Sequence, residues 1–208
     1  ALMPSCDQFI TKKGDDGRIQ LAMNTEKTFS LVEKVYAMSS KDGVVYRPDN
    51  MELVTTDTMM MNGNVLFLMT AVSDIVNLRE SEVDIGLLPY PKYDAAQENY
   101  LSMDWGGLAG VPASIQNPEM VGAVIELLAY YSGETVIPAY YDVLLAGKLA
   151  RDEDSVKMLD ILFDTITYEI GGNYFGFSAG FTDLFFTLGR LVVEQKSTDF
   201  SSWYARNE

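Results

Sequence analysis

The chain has 208 residues, 48% of them hydrophobic, with 15 basic against 30 acidic side chains, a formal net charge of −15 and no histidine. That is enough apolar material for one large domain or two small ones. The charge disfavours nucleic acid and anionic lipid surfaces as partners. The absence of histidine removes the common hydrolytic triads, His-ligated zinc and imidazole proton shuttles.

A single cysteine, Cys6, allows no internal disulfide and no thiolate metal cluster, and the compartment stays open on that count. No uninterrupted apolar run approaches the roughly 20 residues of a membrane span. The first residues, ALMPSCDQFITKKGDDG, lack the basic and apolar regions of a signal peptide and the small apolar residues expected before a lipidated cysteine. A cytoplasmic protein or an internal piece of a longer chain is expected.

In chain order, Gly14-Asp15-Asp16-Gly17 between two short apolar stretches predicts a hairpin with a solvated turn. Asn24 or Thr25 caps a helix whose apolar face is Phe29, Val32, Val35 and Tyr36, ending near Gly43. A helix to Met61 follows, then a turn at Asn62-Gly63-Asn64, a strand Val65 to Met69, a helix to about Glu80 and a strand Val83 to Leu88. Helix and apolar strand in alternation predict an α/β unit covered on both faces. Met59 to Met61 read as core filling.

Beyond Pro89-Tyr90-Pro91, Gly106 to Val111 is strand-like and Asn117-Pro118-Glu119 opens a helix to Gly133. Two further helical patterns are separated near Gly147 to Asp152, with Asp154 or Ser155 as cap. A last helix runs from about Thr182 to Gln195, before a polar tail, KSTDFSSWYARNE.

Aromatic residues in predicted loops stand beside Asp, Asn and Gln, a combination suited to stacking on a pyranose while polar neighbours meet its hydroxyls. Trp105, Tyr93, Tyr140 and Tyr174 are the candidates, with Asp104 beside Trp105. The carboxylate pairs Asp104 with Glu98 and Glu119 with Glu126 are the residue types of a glycosidase acid and base, but spacing alone does not make them face each other. No phosphate loop, dinucleotide fingerprint or nucleophile elbow occurs, and neither metal nor cofactor is expected.

The segments NGNVLF, VDIGLLPYPKYDAAQENY, GVPASIQNPEMVGAVIELLAYYS and PAYYDVLLAGKLARDEDSVKMLDIL resemble family 1 extracellular solute-binding proteins of bacterial ABC importers for sugars and oligosaccharides, in the lipoprotein form of Gram-positive gut bacteria. The resemblance runs from about Phe9 to Tyr204 and corresponds to the C-terminal portion of a longer, two-lobed protein. It implies a helix-rich α/β fragment of the periplasmic-binding-protein-like fold (type II, maltose-binding-like) with a small mixed sheet. Residues 1–91 and 134–208 would form mainly the C-terminal lobe, and 92–133 would belong to the other lobe. Pro89, Tyr90 and Pro91 would be a hinge crossing, with proline-fixed φ confining the bending.

The loop from Thr70 to Asp74, where relatives usually meet the ligand, reads TAVSD and makes Thr70 and Ser73 candidates without an aromatic platform. The resemblance implies a non-enzymatic component that captures a carbohydrate by lobe closure. Its partners would be the sugar and the importer's membrane permease subunits, outside the cytoplasm, anchored through a lipidated N-terminus that this chain lacks. Apolar surface left bare by a missing lobe would be covered by self-association. The rival readings are a carboxylate-dependent glycoside hydrolase fragment and a non-catalytic surface interaction domain.

Overall fold

A computed structural model describes residues 2–45, 53–78, 81–104, 107, 109–145, 153–173, 176 and 178–208. Packing divides the chain into two compact units, the first formed by Ala1–Asp49, Pro89–Gly107 and Asp160–Glu208, the second by Asn50–Leu88 and Leu108–Leu159. This division differs from the lobes implied by the resemblance: residues 92–107 pack with the first unit, and 134–159 with the same unit as 108–133.

In the first unit, α1 (Leu2–Ser5) leads into an antiparallel hairpin of β1 (Thr11–Lys13) and β2 (Ile19–Leu21), with Lys12 opposite Gln20. The turn is the expected one. Gly17 sits at φ 77°, where a side chain would be strained, and Asp16 accepts from the Arg18 amide at 3.0 Å, so the acidic pair builds the turn. Helix α2 (Glu26–Ser39) starts where its cap predicts, Thr25 Oγ1 accepting from the Thr28 amide at 3.2 Å. Its inward residues Leu31 and Val32 are buried.

The parallel pair β3 (Ser102–Asp104) and β4 (Ile166–Tyr168) sets Asp104 opposite Tyr168. The four-residue helix α7 (Ile170–Asn173) follows β4, and the end of the chain is α8 (Ala179–Phe185), a π-helical segment Leu188–Glu194, and α9 (Phe200–Asn207). The predicted last helix is thus real but divided. The tail read as merely polar carries α9, whose Phe200 is 0% exposed and packs edge-on to Phe29 at 5.2 Å between ring centroids. Trp203 Nε1 donates to Thr187 Oγ1 at 3.1 Å inside the same core, beside Met23, Leu184 and Leu191.

The second unit holds α3 (Leu53–Met61), a 3-10 segment Val72–Leu78, and a continuous helical rod made of α4 (Pro118–Tyr131), a π-helical segment Ser132–Val136 and α5 (Ile137–Leu145). Gly63, at φ 68°, ends α3, and the Asn64 amide donates to the Met59 carbonyl at 2.9 Å, as the Asn-Gly-Asn signal suggests. Helix α6 (Glu153–Asp164) contains the boundary between the units.

Three expectations fail here. Val65 to Met69 and Val83 to Leu88 are irregular, with bends at Leu66 and Val83, and among the described residues they pair with nothing as strands; Leu66 is 82% exposed and Leu88 63%. An apolar run resembles a buried strand only if an edge receives it, and β1 to β4, the strands of the described residues, all lie in the first unit. The helix expected to about Glu80 is a 3-10 segment over Val72–Leu78, with positions 79 and 80 outside the described residues. Of the Gly106 to Val111 strand, Gly107 and residues 109–111 are not in a ladder, and positions 106 and 108 lie outside the described residues.

Candidate functional site

A groove of about 960 Å³ lies within the first unit, between the start of α2 and the loop from Tyr93 to Leu101. Its geometry follows from local chemistry. Asp94 Oδ1 accepts from the Ala96 and Gln97 amides at 2.9 and 3.3 Å, folding the loop back on itself. Gln97 then fastens it: its Oε1 accepts from the Tyr93 amide at 2.9 Å, and its Nε2 donates to the carbonyls of Ser5 (2.8 Å) and Asn99 (2.9 Å).

Tyr93 is the candidate that the structure places in this groove. Its hydroxyl donates to Ser30 Oγ on α2 at 2.9 Å. Ammonium groups stand over the ring, Lys34 at 3.8 Å and Lys27 at 5.2 Å from its centroid, an attraction of about 0.5–1 kcal/mol each where solvent reaches. With its hydroxyl and a face engaged, Tyr93 is a wall post rather than a bare stacking platform. Lys27 also donates to the Asp7 carbonyl at 3.0 Å and lies 3.5 Å from its carboxylate. Four carboxylates, Asp7, Glu26, Asp94 and Glu98, line the groove with this one cation. Such a lining disfavours anions and suits a neutral polar or positively charged solute.

The other candidates are dispersed along the chain. Asp104 is exposed at the end of β3 and does not line the groove, so Glu98 enters it without its proposed acid-base partner. Thr70 and Ser73 are in the second unit, both turned to Asp74: Thr70 Oγ1 donates to Oδ2 and Ser73 Oγ to Oδ1, at 2.5 and 3.4 Å. Those hydroxyls close the 3-10 turn. Tyr140, on α5, is 41% exposed. Trp105 and Tyr174 lie outside the described residues.

At the hinge candidates, the chain passes from the second unit to the first between Leu88 and Pro89. Pro89 and Tyr90 are half-buried, and burial pushes the Tyr90 phenol above its ordinary range. The Pro91 carbonyl accepts from Ser5 Oγ at 3.4 Å and from Cys6 Sγ at 3.7 Å, which ties this end of the segment to α1. Burial also raises the Cys6 thiol, which disfavours its reactive thiolate.

Sequence reasoning did not single out Lys27 or Ser30, and Gln97 entered only as part of the segment VDIGLLPYPKYDAAQENY that carries the resemblance. The Asp94-x-x-Gln97 spacing was a turn signal, whereas the approach of α2 depends on contacts between residues 63 positions apart. Among the described residues no group of three or more acidic or thiol side chains is placed to hold a metal ion. No protein-family model matches the chain, and neither curated proteins nor solved structures give a match.

Proposed function

We propose that the chain is the binding component of a bacterial ABC importer, which takes up a carbohydrate without chemical change and presents it to permease subunits outside the cytoplasm. The observation that carries this reading is the passage between two compact units at Leu88–Pro89, immediately before the Pro-Tyr-Pro segment where the resemblance expects a hinge. A chain that threads back and forth between two units suits capture by closure. The groove within the first unit supplies amide, hydroxyl and carboxylate groups able to meet sugar hydroxyls, and Tyr93 supplies an aromatic wall.

The test is calorimetric titration and thermal denaturation of this chain with neutral mono- and oligosaccharides. A sugar at about 100 times its dissociation constant stabilises the folded state by roughly 2.7 kcal/mol. Gln97→Ala, which frees the loop, is expected to abolish that shift. Absence of any shift across a broad panel would overturn the reading, and turnover of a chromogenic glycoside would replace it with the hydrolase.

A further inference from the structure

The rod from Pro118 to Val143 is the least expected feature of the molecule. It is 26 residues long, and its most apolar 18-residue stretch has a mean hydropathy of 1.3 with none of it buried. By length and composition alone the helix passes as long and apolar enough to cross a membrane, although no uninterrupted apolar run is that long. Glu126 and Glu134 stand on either side of its midpoint, however, where a bilayer core penalises charge. Lysine and arginine are absent from residue 93 to 147, so the N-terminal end of the rod has no cationic anchor, while Lys148 and Arg151 follow its C-terminal end.

Its residues are sorted by face. Val121, Val124, Leu128 and Tyr131 recur at i, i+3, i+7 and i+10, one seam of two heptads, with Ile125 beside it. Glu119 and Glu126 share the opposite face with Gly122 and Ala123. Val124 is 49% exposed, Leu128 64% and Tyr131 59%; Val121 is half-buried. The large apolar side chains of this face of α4, the seam with Met120, Ile125 and Leu127 at its flanks, leave on the order of 600 Å² in water, the upper end of the roughly 300–600 Å² of the largest patch on an ordinary monomer. That area is somewhat below the roughly 800 Å² each partner contributes to a standard interface, the size of a weak contact that dissociates on dilution.

We propose that a second copy of this chain covers the seam, the two α4 helices packing antiparallel across a two-fold axis near position 126. In that register Val121 meets the partner's Tyr131, and Val124 meets the partner's Leu128, small against large at each layer. A parallel pairing would set like against like, leaving gaps at the valines and crowding at the tyrosines. The antiparallel arrangement is isologous, so it closes at two copies. It also turns the glutamate faces outward, keeping the acidic charge out of the contact.

The test is light scattering and sedimentation equilibrium of the 208-residue chain from about 1 to 100 µM. A dimer mass that falls to monomer on dilution is expected. Leu128→Glu should raise its dissociation constant by about 100-fold or more, because each copy then buries an unpaired carboxylate. Glu126→Lys, on the far face, should leave it unchanged. Since Leu128 faces solvent, circular dichroism should show Leu128→Glu folded. Oxidation of Val124→Cys combined with Leu128→Cys should give a covalent dimer that neither single change gives, the like positions being too far apart to bridge. Monomer throughout the range, a dimer indifferent to Leu128→Glu, or sedimentation of the chain with uncharged phosphatidylcholine vesicles would overturn the proposal.

Discussion

Glu169 shows how much one side chain can hold. It is 4% exposed, and its Oε1 accepts from the amides of Ile10 and Thr11, the latter at 2.9 Å, joining the segment after β4 to the start of β1. Oε2 and the Thr11 hydroxyl are buried without a hydrogen-bond partner among the described residues. Burial raises the carboxyl above its ordinary value, against the lowering effect of the two amide bonds. A raised acid favours folding fully below its unfolded value and loses that contribution as pH climbs through the folded one. Stability should therefore fall as pH rises from the mildly acidic range, and Glu169→Gln, which keeps an acceptor and carries no charge, should flatten that fall. Urea unfolding from pH 4 to 8 reads this directly; a variant with the wild-type slope would place the titration elsewhere.

Helix ends are the most accessible points of control among the elements. Lys196 closes the π-helical segment at φ 50°, with the Ser197 amide donating to the Leu191 carbonyl at 3.1 Å. A side chain is strained in that left-handed conformation, so Lys196→Gly should stabilise the first unit by about 0.5–1 kcal/mol, read as a higher urea midpoint at unchanged slope. The reverse holds at Gly180, where a Cβ would lie 2.7 Å from the Asn207 carbonyl oxygen of α9. Gly180→Ala must separate α8 from α9 and should cost about 1–3 kcal/mol; a neutral result in the same assay would mean that α9 yields easily.

What the sequence disclosed at this scale divides by locality. The hairpin, the Thr25 cap, the Gly63 turn and the Asn117-Pro118 helix start each depend on neighbours within about five residues, and all are present. Val65 to Met69 and Val83 to Leu88 needed a distant edge and found none. Helix α9 was missed because charged and small residues hid the pair that matters, although Asp199 as cap and Phe200 with Trp203 at i, i+3 were visible signals. Of the site, Tyr93 was legible as a loop aromatic; its companions on α2 were set by the tertiary approach of a helix distant in sequence.

At the scale of the molecule, the two units are unequally built. The first buries Met3, Ile10, Met23, Val32, Leu191, Phe200 and Trp203 in one cluster. Among the described residues of the second, Ile75, Leu78 and Leu159 are the buried apolar side chains, while its rod stands in water. Local stability follows apolar burial, so hydrogen exchange should proceed faster in peptides from 53–78 than in those from 26–39 and 184–203. The rod should behave differently from both. If dimerisation covers its seam, protection in 118–143 rises with protein concentration, and the rise disappears in Leu128→Glu, while the first unit is indifferent to either change. Uniform exchange across the chain would contradict the unequal cores; protection of the rod independent of concentration would show that its stability comes from within one chain.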